Sequence, residues 1–265
     1  MRLRLLAASV VASLAVGVGV VAPAQPARAA LGGWFDIIIN AVVTIANRSG
    51  NGSGGDPQLE AAKREIIAAV ENAKQEILNH IDAIASAEVE ACTNAAVTKF
   101  AQIDSMPGSL LGPFVNGAVD CAALSNSYFN AVQDPAAADN IGKLMGVIYS
   151  IAMAGFTKYG LSTTGLLAGL ISGYEAVVVK LKPNNCDVRS QFDPEIMPRP
   201  KRGDLIGWDM WCWAYNGDFG GYAVDLPFPS TPTDAHLDVA RREAGKNISY
   251  GTALRALPPL RAVRG

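Results

Sequence analysis

From Leu59 to about Asp104 the chain carries neither glycine nor proline, and Ile66, Val70, Ala73, Ile77, Ile81 and Ile84 recur at alternating steps of four and three. That spacing draws one apolar seam along a helix that packs against another helix. Asp56-Pro57 marks its start, an N-cap carboxylate followed by a proline at the first helical position, where the absent N–H costs nothing. Read as one piece, the pattern predicts a long N-terminal helix of about 45 residues, ~70 Å from end to end, with a break near Ala91 as the compact alternative.

Pro107-Gly108 and Gly112-Pro113 then turn the chain, and a helix over 114–132 is expected to run back antiparallel. Asp134-Pro135 repeats the cap-plus-proline signal and opens a helix to about Phe156. After the turn in TKYGLSTT, Thr163 or Thr164 caps a further helix ending near Lys182-Pro183. Residues 114–180 hold seven charged side chains, and 144–157 and 159–174 hold none, so these two helices read as a central apolar helical hairpin. Glycine recurs at every fourth position, at Gly142 and Gly146 and again at Gly165, Gly169 and Gly173. Each glycine inside a helix costs roughly 1 kcal/mol relative to alanine, so such a stripe predicts close helix contact, in a protein core or in lipid.

Past Pro183 the helical period fades into residues crowded with Pro, Gly, Asp and Asn. Trp211, Trp213 and Tyr215 alternate before Asn216-Gly217, the signature of a β-hairpin. A two-residue turn at Asn216-Gly217 sets Trp211 opposite Tyr222 and Trp213 opposite Gly220. PTDAHLDVARREAG and SYGTALRAL follow as one or two short helices before Pro258-Pro259. The fold class is therefore mainly α: a helical bundle with a long N-terminal helix and a central apolar helical hairpin, plus a small disulfide-pinned β-hairpin appendix. The expected organisation is a cleaved signal peptide over 1–29 and an apolar N-terminal segment with a Gly/Ser linker over 30–55. A helical domain over 56–182 and the loop-rich aromatic appendix with C-terminal helices over 183–265 complete it.

Composition places this fold outside the cell. Arg2 and Arg4, an apolar run from Leu5 to Ala22 and the small-residue site Ala27-Arg28-Ala29 have the order of a secretory signal peptide cut after Ala29. Cleavage removes three arginines and takes the formal charge from −2 to −5, which excludes a general nucleic-acid binder. Acids concentrate in 56–90 and bases in 241–265, so the basic tail is expected on the acidic helix. The segment LGGWFDIIINAVVTIANR, tethered by SGNGSGG, is too short to span a bilayer and is expected to dock on the body of its own chain. Four cysteines in an exported chain predict two disulfides. Of three possible connectivities, Cys92–Cys121 with Cys186–Cys212 keeps each bridge local, and the antiparallel return brings Cys121 near Cys92.

Catalytic raw material is thin. The chain has no G-x-S-x-G, H-E-x-x-H or Walker-type loop, no C-x-x-C, and no metal or cofactor site is expected. His80 lies among Asn79 and Asp82; His236 lies beside Asp234 and Asp238; Asp193, Glu195, Asp204 and Asp209 are the acids available for a glycosidase-like pair. The stronger signal is aromatic: Trp208, Trp211, Trp213, Tyr215, Phe219 and Tyr222 fall within fifteen residues. These rings either cover the Cys186–Cys212 bridge as a small core or form a binding face for sugar rings, a membrane interface or a protein partner.

The reading that follows is a secreted, non-enzymatic helical protein that binds a secreted or envelope protein, or a membrane surface. An exported helical chain with a buried apolar hairpin also resembles the general plan of α-helical pore-forming toxins, without matching any family motif. That resemblance implies a membrane-inserting toxin or toxin component as the alternative, with Gly165, Gly169 and Gly173 as its stripe. Runs of 14 and 16 uncharged residues fall short of the ~20 that span a bilayer. A cell-wall- or polysaccharide-directed hydrolase resting on the acidic loop is the second alternative.

Overall fold

The computed structural model describes residues 33–48, 56–75, 77, 87–192, 205–226 and 230–263. Its described part is mostly helical, with one three-stranded antiparallel sheet and two disulfides. The helices are α1 (Gly33–Arg48), α2 (Pro57–Asn72), α3 (Ala87–Phe100), α4 (Gly108–Ala131), α5 (Pro135–Lys158), α6 (Thr164–Lys180), α7 (Asp234–Ala244) and α8 (Ser249–Ala262). The strands are β1 (Asn185–Phe192), β2 (Leu205–Trp213) and β3 (Phe219–Val224), in the order β1-β2-β3.

Local signals in the sequence set several helix ends. Asp56 caps α2 by accepting from the Gln58 N–H at 2.8 Å, and Asp134 caps α5 by accepting from the Ala137 N–H at 2.9 Å, each with proline next in line. Ile66, Val70, Ala73 and Ile77 of the expected seam are buried. Within the span of the expected long helix the structure gives two separate helices, α2 and α3; Ile81 and Ile84 lie outside the described residues.

Two proline signals do not stop helices as expected. The helix expected from 114 begins at Gly108 and runs through Pro113, whose ring removes a single bond, to the carbonyl of exposed Ser109. α8 likewise continues through Pro258 and Pro259 to Ala262, because both fall near its end and buried Leu260 anchors the last turn.

α5 is the axis of the molecule. Eighteen of its 24 residues are buried, and α1, α2, α3, α4, α6 and α8 all pack against it. A helix apolar on every side is stable in water only when enclosed in this way. α1 buries Phe35, Ile38, Ile39, Val42 and Ile45 against α2, α5 and α8, so the N-terminal apolar segment docks on its own chain. Cys92 on α3 joins Cys121 on α4 with Cα atoms 5.6 Å apart. Lys180 donates to the carbonyls of Phe129 and Val132, both at 2.5 Å, closing the C-terminal end of α4.

The described part of the basic tail pairs elsewhere than expected. Arg255 lies 3.8 Å from Asp36 of α1 and Arg261 lies 2.9 Å from Glu175 of α6, because α8 packs on those helices rather than on α2. The main core accordingly takes residues from α1 to α6 and from α8, while Met210, Cys212, Ala240 and Ala244 form a second, small core between the sheet and α7.

Candidate aromatic binding face

The hairpin register differs by one from the two-residue turn. Gly217 adopts φ +83°, no residue other than glycine has positive φ among the described residues, and the Ala214 N–H donates to the Asp218 carbonyl at 2.8 Å. A tight two-residue turn of the Asn-Gly kind needs positive φ at both central residues, which Asn216 lacks. Tyr215, Asn216 and Gly217 therefore form a three-residue loop, setting Trp213 opposite Phe219, Cys212 opposite Gly220, Trp211 opposite Gly221 and Met210 opposite Tyr222. β1, which the sequence did not announce, pairs on the other side and puts Cys186 directly opposite its disulfide partner Cys212.

Strand alternation then divides the aromatic residues between two faces. Toward α7 lie Trp208, Met210, Cys212, Gly220, Tyr222 and Val224. The Tyr222 ring stacks on His236 with centroids 6.3 Å apart, and the Trp208 indole N–H donates to the Ser230 carbonyl at 3.2 Å. On the outer face stand Trp211, Trp213 and Phe219, with Phe219 66% and Trp213 36% exposed. The Trp211 ring crosses Gly221, where a Cβ would lie 3.2 Å from indole Cδ1, and it carries the Arg189 guanidinium 5.5 Å from its centroid. Arg189 is held by Asp187 at 2.8 Å, and Gln191 donates to Asp209. Only the observed register places Phe219 beside Trp213; the two-residue turn would have paired Trp213 with a glycine.

Tyr215 belongs to neither face. Its hydroxyl donates at 2.9 Å to Asp139 on α5, a buried carboxylate that also pairs with Lys143 at 2.9 Å and accepts from the Ser249 N–H at 2.6 Å. Burial, reinforced by the Asp139 charge, pushes the Tyr215 phenol well above its ordinary range. This contact ties the hairpin loop and the start of α8 to the central helix.

The glycine stripe is partly a contact surface. A Cβ at Gly169 would lie 2.7 Å from the Tyr149 hydroxyl, and one at Gly173 would collide with Met145 and Asn126. In return, a Cβ at Gly146 on α5 would lie 2.5 Å from the Tyr174 hydroxyl of α6 and 2.9 Å from the Phe35 ring. Gly165 faces open space. Asn126 donates to the Tyr149 hydroxyl at 2.7 Å and to the Gly169 carbonyl at 3.0 Å, while burial pushes the Tyr149 phenol to about 12.

The candidate catalytic groups among the described residues have structural partners. His236 Nδ1 accepts from the Thr233 N–H at 3.0 Å at the start of α7. Asp238 is held below the usual carboxylate range, first by the Arg241 hydrogen bond and then by Lys182. His80, Asp193, Glu195 and Asp204 lie outside the described residues. Among the described residues no helix is long and apolar enough to cross a membrane. Comparison of the chain with known protein families, curated proteins and solved structures finds no match in any of the three.

Proposed function

We propose that this is an exported, non-enzymatic protein that binds a secreted or envelope protein through the outer face of its sheet. The observation that carries the reading is the cluster of Trp211, Trp213 and Phe219 on a face against which no described helix packs, flanked by Asp187, Arg189, Gln191 and Asp209. Large rings concentrated on an open face, rimmed by polar groups, have the composition of a protein-binding hot spot. Binding of purified protein to the surface of source-organism cells tests it. Trp213→Ala with Phe219→Ala should weaken retention about tenfold or more, and protease treatment of the cells should abolish it. Unchanged retention of the double variant contradicts the proposal, and equal binding to protein-free vesicles transfers it to a membrane surface.

The enclosure of α5 supports a second reading, insertion of the α5–α6 hairpin into a membrane, since five helices besides α6 shield the uncharged stretch of α5 from water. Dye release from anionic liposomes at acidic or neutral pH is the outcome expected of an inserting toxin; intact liposomes at both pH values sink that reading.

A further inference from the structure

The edge of the sheet adds a mode of binding to the aromatic face. The Ala214–Asp218 bond fixes the alternation of the β2–β3 ladder, so Gly220, Tyr222 and Val224 turn their backbone groups toward β2. Phe219, Gly221 and Ala223 turn theirs outward. All three residues are exposed, their outward groups take no partner among the described residues, and β2 and α7 are the elements packed against β3.

The two edges of this sheet are built differently. β1 carries Asp187 and Arg189 and an irregularity between Gln191 and Phe192, features that discourage pairing. β3, with the sequence FGGYAV, has no charge, no proline and no bulge. We infer that β3 accepts an extended segment of the protein partner as a fourth strand, an inference that rests on the proposed protein-binding role of the adjoining aromatic face. Backbone bonds to Phe219, Gly221 and Ala223 would supply affinity. Alternate apolar side chains of the segment would fall beside Phe219, against the Trp211 ring that crosses Gly221, and beside Ala223.

A second copy of this chain fits the edge poorly. α7 lies beneath β3 and β2, and a Cβ on Gly220 would lie 2.5 Å from the Ala240 carbonyl oxygen. Two β3 edges paired about a two-fold axis would set two such helices side by side on one face of the joined sheet, at a separation fixed by the strand pairing and not by their own packing. A single extended peptide carries no such helix.

The probe is a capped heptapeptide, Lys-Thr-Val-Thr-Val-Thr-Lys, added at millimolar concentration to the full chain while amide hydrogen exchange is followed by NMR. Exchange at Phe219, Gly221 and Ala223 should slow about tenfold, with no comparable change in β1. The same peptide with alternate backbone nitrogens methylated should give no protection. Ala223→Pro removes an outward N–H without touching the β2 ladder and should abolish the effect while leaving the hairpin amides protected as before. No protection at these amides overturns strand addition. Protection that appears without peptide, rises with protein concentration and disappears in Ala223→Pro assigns the edge to a second copy and also overturns it. If Trp213→Ala weakens cell-surface retention while Ala223→Pro leaves it intact, strand addition fails and the aromatic-face reading stands; if neither variant weakens it, both fail.

Discussion

Gly165 and Gly169 sit one turn apart on α6 and carry opposite consequences. At Gly169 a methyl group would press on the Tyr149 hydroxyl, which Asn126 holds in place, so Gly169→Ala should cost about 1–3 kcal/mol by denaturant unfolding. At Gly165 nothing stands within 4 Å, so Gly165→Ala should leave stability unchanged or raise it by up to about 1 kcal/mol. Equal effects at the two sites would remove the packing account of the stripe. The four-residue spacing was legible in the sequence as a helix-contact pattern. Which glycines are pressed depended on Tyr149, Met145 and Asn126, which approach from other helices and leave no trace in the spacing of α6 itself.

Between elements, Asp139 is the junction where the central helix, the hairpin loop and the start of α8 meet. Removing its carboxylate leaves a mostly buried lysine and the Ser249 N–H without their acceptor, so Asp139→Ala should cost about 3 kcal/mol. Tyr215→Phe, which deletes one bond to the same carboxylate, should cost about 1 kcal/mol by the same unfolding measurement. Helix starts at Asp56-Pro57 and Asp134-Pro135 were readable because a cap is a local event. The α8 continuation through Pro258-Pro259 was not, because its last turn is held by the burial of Leu260 in the core, a tertiary contact. The hairpin register was missed for a similar reason: Asn-Gly serves both a two-residue turn and a three-residue loop, and Asn216 keeps negative φ while Gly217 alone goes positive. β1 was not legible because Ser190 interrupts the apolar set of Cys186, Val188 and Phe192, and neither face of the strand is buried.

At the scale of the molecule, a single large helical core holds a small sheet-and-helix unit against one end of its axis. Charge pairing around that core defines a pH window. Hydrogen bonds and charge from Arg48 on Asp56 and from Arg241 on Asp238 hold those carboxyls below 3.8; for Asp104 burial opposes, but Lys158 and Lys63 outweigh it. Depressed carboxyl values mean that this stabilisation is present above pH 3.8 and is lost as pH falls through the lower folded values. Burial raises the phenols of Tyr149, Tyr174 and Tyr215 above 10.0, so stability present below pH 10 declines as pH rises toward 12 and beyond. Thermal unfolding should therefore show a plateau between these limits, with losses on both sides; a midpoint that keeps rising above pH 10 would contradict the buried phenols.

The helical class, the local disulfides and the docking of the N-terminal apolar segment were all legible in the chain, since each follows from patterns of a few tens of residues. The division of the aromatic cluster was not: it depends on one residue of register and on α7 covering one face. The claim that the outer face meets a protein partner is tested most directly by photo-crosslinking on source-organism cells, with a photoreactive phenylalanine analogue in place of Phe219. The same analogue at Val179, an apolar position on α6 that is 76% exposed, serves as the control. The account predicts a discrete protein adduct from position 219 and none from 179; adducts from 179 with none from 219 would contradict it.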